Sequence, residues 1–143
     1  MPFTKHKPLE SDKFIFPKQF RDLVHAALKN YSSVLGLNQW EGTVIFMFKD
    51  AVDEPATRAD MEVDIRYRRA TMRVYPKLYR DWKLNGDNEI ADVVAHEVCH
   101  ILTQPLANLV SNAWKTKQEF HDEWEALTEL ISRLALRLYK YEK

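Results

Sequence analysis

The stretch that most constrains this chain is His96-Glu97-Val98-Cys99-His100, set in the apolar run from Ile90 to Leu102. An α-helix turns about 100° per residue, so positions four apart return to one face, and His96 and His100 point the same way one turn apart. Two imidazoles in that relation can share one metal ion. Glu97 falls on the neighbouring strip, within reach of a water attacking beside the metal, where a carboxylate acts as general base. Such a helix belongs at the edge of a core. Ile90, Val94, Val98 and Ile101 form an apolar arc, the histidines lie together on its flank, and Val93 and Glu97 fall between. The plain alternative is a buried helix whose histidines are satisfied by neighbouring carbonyls or carboxylates. Cys99 projects away from the histidines and reads as a small packing residue rather than a ligand.

A catalytic zinc takes three protein ligands and keeps one position open. The final helix, read from Glu119 to Lys140, carries a leucine face of Leu127, Leu130, Ile131, Leu134 and Leu138. On its opposite strip stand Glu125 and Glu129, one turn apart, beside Thr128, Ser132 and His121. Paired carboxylates are common on solvated helix faces. Here the small hydroxyl side chains of the strip would also let another helix approach closely. Glu125 could supply the third ligand, and His121, one turn earlier on the same strip, is its rival. Glu129 is placed to accept the N–H of a ligating histidine and so set its tautomer. Tyr75, Tyr79 and His121 are the candidates for stabilising an oxyanion.

His96-Glu97-x-x-His100, 24 residues, then Glu125-Ala126-Leu127-Thr128-Glu129 resembles the gluzincin clan of zinc metallopeptidases, the group that includes thermolysin. That clan carries a Glu-x-x-x-Asp segment on a downstream helix. The order of a leading helix, a small sheet, the motif helix and a closing helix is similar to minimal gluzincin-like domains of small prokaryotic and phage-encoded proteins. The resemblance implies one zinc per chain held by His96, His100 and Glu125, with Glu97 as general base and Glu129 as the orienting acid. It further implies a peptide or protein substrate, its scissile segment extended against the strand Ala70 to Tyr75. The chain departs from the clan in three ways. Glu129 is one methylene longer than the usual aspartate, Trp124 stands where an asparagine is often found, and the lower half of a full peptidase, with its specificity pocket and second catalytic histidine, has no counterpart.

The rest of the chain supplies the frame. At 143 residues it reads as one domain, residues 14–143, behind a tail of residues 1–13 that holds Pro2, His6 and Pro8 without periodicity. With 21 basic and 21 acidic residues the formal charge is zero, which argues against bulk nucleic-acid binding and against an anionic membrane surface. A single cysteine excludes an internal disulfide. With no signal peptide or long apolar run recognised, a cytoplasmic location is expected; nothing in the sequence sets the oligomeric state, and a monomer is favoured.

Apolar spacing from Pro17 to Leu35, stopped by Gly36, predicts a first helix with His25 off its apolar face. Val44 to Phe48 reads as a buried strand. Met61 to Ile65 and Ala70 to Tyr75 alternate in opposite registers, as two antiparallel strands joined by a turn at Tyr67 to Arg69 would. The expected fold is therefore α+β and zincin-like: a three-stranded antiparallel sheet packed with an N-terminal helix, the motif helix and a C-terminal Glu-bearing helix. Pro76 should end the last strand, with Trp82 to Asn88 approaching the motif helix and Asp87 capping it. Pro105 should stop that helix near Thr103, before a short helical piece from Pro105 to Trp114. Arg66, Arg68, Arg69 and Arg73 form a basic strip, read first as solvated charge paired with Glu62 and Asp64 and only second as a DNA surface. Two functional classes remain: a zinc metallopeptidase, and a non-catalytic binding module tied together by zinc, with DNA association as its variant.

Overall fold

The structure, a computed structural model, describes residues 14–110 and 117–141. The expected tail, residues 1–13, and residues 111–116, which include the end expected for the short helical piece at Trp114, lie outside these. The elements run α1 (Lys18–Val34), β1 (Glu41–Phe46), β2 (Ala59–Asp64), β3 (Arg69–Val74), α2 (Pro76–Asn85), α3 (Asn88–Val110) and α4 (Lys117–Tyr141). This is an α+β architecture of four helices around a small sheet.

The hairpin forms where the change of register placed it. β2 and β3 pair antiparallel from Ala59 opposite Val74 to Asp64 opposite Arg69. Their turn closes with Arg68 in the left-handed region, φ 51°, the conformation that Gly or Asn ordinarily marks. The sheet as a whole is mixed, not antiparallel. Its order is β1-β3-β2, with β1 parallel to β3. Residues 47–58 are long enough to cross the end of the sheet, so β3 returns between its predecessors and becomes the central strand. β1 is consequently an edge strand and not a buried one: Val44 and Phe46 are half-buried and Ile45 is exposed.

α1 matches its pattern, burying Phe20, Val24 and Tyr31 and leaving His25 exposed. The segment after the sheet is more ordered than expected. Pro76 starts a helix of its own, since its fixed φ and missing N–H suit a first turn. Asp87 precedes α3, but its carboxylate accepts the Trp82 indole N–H at 2.8 Å, tying α2 to the start of α3. Pro105 does not stop α3, which runs on to Val110. Tertiary contacts override the local preference: the Thr103 hydroxyl lies 3.3 Å from the Cys99 carbonyl and accepts the Trp124 indole N–H at 2.7 Å, holding that turn against α4.

α3 is the axis of the molecule, packing against α1, α2, α4 and β2. Its fully buried Val94, Ala95, Val98 and Cys99 join Phe20, Val24, Met72, Val74 and Leu78 in one core. Burial pushes the Cys99 thiol up to about 12, as suits a packing residue. Three of the four arginines of the strip are paired, though with partners other than those expected: Arg73 with Asp60 at 2.6 Å, Arg69 with Glu41 at 3.2 Å, and Arg68 with the Gln39 amide oxygen at 2.7 Å. Among the described residues no helix is long and apolar enough to cross a membrane.

Candidate metal centre

The close contact between α3 and α4 is made by small side chains. Thr128, Ser132 and Ala135 form the buried strip of α4, which packs on α3 and α1, and the Thr128 hydroxyl meets that of Thr103 on α3 at 3.1 Å. Bulk at those positions would hold the helices apart. Their smallness carries Glu125 and Glu129, on the same side of α4, up to the histidines of α3. Hydropathy alone would turn the leucines inward instead.

Four groups then converge. His96 Nε2 lies 3.2 Å from Glu125 Oε2, and His100 Nε2 lies 3.4 Å from Glu125 Oε1. On the far side of the His96 ring, Nδ1 donates to Glu129 Oε2 at 2.9 Å, and Arg133 in turn donates to Glu129 at 3.2 Å. The extra methylene of Glu129 does not prevent this contact. His100 Nδ1 faces the Thr128 hydroxyl at 3.5 Å. Both nitrogens of His96 thus face carboxylates; with Nδ1 donating to Glu129, Nε2 is the atom that could ligate a metal beside Glu125. Two imidazole nitrogens and a carboxylate facing one point are a group that could hold a cation, or that pair through N–H donated to the carboxylate.

The donor set could hold a metal ion. His96, His100 and Glu125 offer ligand atoms that all lie within 4.8 Å of one another, the one such group among the described residues. A tetrahedral site with ligands at about 2.1 Å sets its donors roughly 3.4 Å apart, close to the two spacings above. Burial pushes the His100 pKa down to about 4, against the opposing pull of Glu125, so this imidazole is neutral with a lone pair available at ordinary pH. His121 is not in the group. It is exposed on α4, edge-on to Trp124 with ring centres 6.2 Å apart.

Glu97 is 8% exposed and makes no side-chain hydrogen bond among the described residues. Burial, and then the negative charge of Glu125, raise its pKa well above the ordinary carboxylate value, with Arg58 opposing. It opens onto a cleft of about 670 Å³ lined by His96, Glu129, Thr57, Arg58, Ala59 and Asp92, among others. The other oxyanion candidates stand elsewhere. Tyr75 donates its hydroxyl to Asp60 at 2.8 Å, and Tyr79 packs in the aromatic cluster of Phe14, Phe20 and Trp82. Neither lines the cleft. β3 has no free edge for a peptide, because β1 and β2 occupy both sides. The edge strand against α3 is β2, whose entrance, Thr57 to Ala59, forms a wall of the cleft.

Several residues of the site carried no readable sign. Arg58 belongs to no motif; it enters the cleft because it leads into β2, and it is held by Glu89 at 2.7 Å. Trp124 braces Thr103 and stands edge-on to His100 at 5.0 Å. The hydroxyl strip of α4 gave a sign of close approach, but not that Thr128 would face a histidine. Comparison with protein-family models, curated proteins and solved structures finds no match to this chain.

Proposed function

We propose that this chain is a zinc-dependent metallopeptidase of minimal gluzincin type, with zinc held by His96, His100 and Glu125. The observation that carries the reading is the convergence of both Nε2 atoms on Glu125 while Glu129 takes the opposite nitrogen of His96. A buried helix can satisfy its histidines with carboxylates, but two imidazoles sharing one carboxylate, with a second carboxylate on the opposite nitrogen of His96, is also the arrangement of histidine ligands oriented by an acid. The chain's resemblance to the clan supports the same roles.

When bound, zinc supplies a Lewis acid and an acidified water at neutral pH. The residues supply the rest. Glu97, buried at the cleft floor, takes the proton of the attacking water and passes it to the leaving amine; a raised pKa suits both halves of that task. Glu129 keeps His96 in its ligating tautomer. Arg58, which lines the cleft with Arg133 and whose charge acts on Glu97, is offered as the partner of the developing oxyanion, in place of Tyr75 or Tyr79. The peptide lies extended along β2, where backbone pairing binds it without strong sequence choice.

The rival is a module whose zinc only ties α3 to α4, which the same ligands spanning the two helices would achieve. Glu97→Gln separates the two. As general base, its loss should lower hydrolysis of a casein or peptide-library substrate by about 10²-fold or more with metal retained. Equal activity, or equal inactivity, of wild type and variant favours the module.

A further inference from the structure

α4 turns its leucines outward. Leu130, Leu134 and Leu138 are 57%, 50% and 53% exposed, and half-buried Leu127 continues the stripe at helical spacing. They lie away from Thr128, Ser132 and Ala135, the buried strip of α4. A lone exposed leucine needs no explanation, but a stripe along three turns of one helix is a face built for a partner.

The charges of α4 identify that partner. Apart from the site residues Glu125 and Glu129, residues 117–129 carry Glu119, Asp122 and Glu123 against the single base Lys117. Residues 130–141 carry Arg133, Arg137 and Lys140 and no acid. A second α4 laid antiparallel sets the acidic half of each helix against the basic half of the other, twice over, about a two-fold axis. A parallel partner would set like charge against like. Centred on Leu130, the antiparallel pairing brings Glu123 opposite Arg137 of a second copy and Leu127 within one position of its Leu134. The cleft stays open, because the site residues Glu125 and Glu129 occupy a different strip of α4. We infer that the protein, in place of the monomer favoured from its sequence, forms a two-fold homodimer through the leucine stripe of α4, paired antiparallel. The inference does not rest on the metal reading.

Light scattering coupled to gel filtration, on the full chain between about 1 and 100 μM, tests it in the range of a modest dimer affinity. Wild type should rise to twice its 16.9 kDa. Leu134→Glu should stay monomeric with its circular dichroism unchanged, since Leu134 is exposed. Glu123→Arg and Arg137→Glu should each weaken the dimer about tenfold or more, and the double variant should restore it, because each swap is repaired only across an antiparallel pair. A wild type monomeric at every concentration overturns the inference, whatever else covers the stripe. So does a dimer indifferent to Leu134→Glu, or a double swap that fails to restore pairing.

Discussion

Glu97, the proposed general base, sits where a carboxylate works against stability. A carboxylate left 8% exposed without a hydrogen-bond partner among the described residues is expensive to keep ionised. Burial first, and the charge of Glu125 second, raise its folded pKa above the ordinary 4.5. A group raised in this way contributes stability fully below its unfolded value and loses it as pH climbs through the folded one. Metal-free Glu97→Gln should therefore be more stable than wild type by about 1–3 kcal/mol at pH 7. The gap should close as pH falls below 4.5. Urea melts across that range check it, and a gap independent of pH would contradict it. At this scale the motif was legible because His96, Glu97 and His100 are neighbours in sequence. Arg58 was not, since no spacing links it to residues that it meets only through the course of β2.

Among the elements, α4 departs furthest from its apolar pattern. Its small strip, Thr128, Ser132 and Ala135, is buried while Leu130, Leu134 and Leu138 face out. The site requires that choice, because Glu125 and Glu129 reach the histidines only if α4 lies close to α3. Ser132→Leu should push the helices apart, costing about 1–3 kcal/mol by overpacking. It should also weaken metal binding without touching a ligand, whereas Ser132→Ala should leave both nearly unchanged. Denaturation and zinc titration of the two variants check this; full metal affinity in Ser132→Leu would sink it. α1 and the β2–β3 hairpin were readable because local periodicity and register decide them. The parallel pairing of β1 was not: alternation tells which side chains face the core, not which strand lies alongside. Nor was the passage of α3 through Pro105, where contacts from Thr103 to α4 outweigh the preference of the proline.

In the whole molecule one helix serves both core and site. α3 buries Val94, Ala95 and Val98 on one side and presents His96 and His100 on the other, so the candidate ligands sit on the most firmly packed element and are held in place before any metal arrives. α4 closes the site from outside and is fastened elsewhere through Tyr139, which accepts a hydrogen bond from Asn30 at 2.9 Å and packs against Tyr31. The measurement that bears most directly on the account is the metal content of purified full-length protein after zinc reconstitution and desalting, by plasma mass spectrometry, beside Glu97→Gln and Glu125→Ala. The account predicts about one zinc per chain in wild type and in Glu97→Gln, and little in Glu125→Ala. Zinc absent from all three, or retained equally by Glu125→Ala, would contradict it and leave His96, Glu125 and Glu129 as a histidine–carboxylate pairing between two helices.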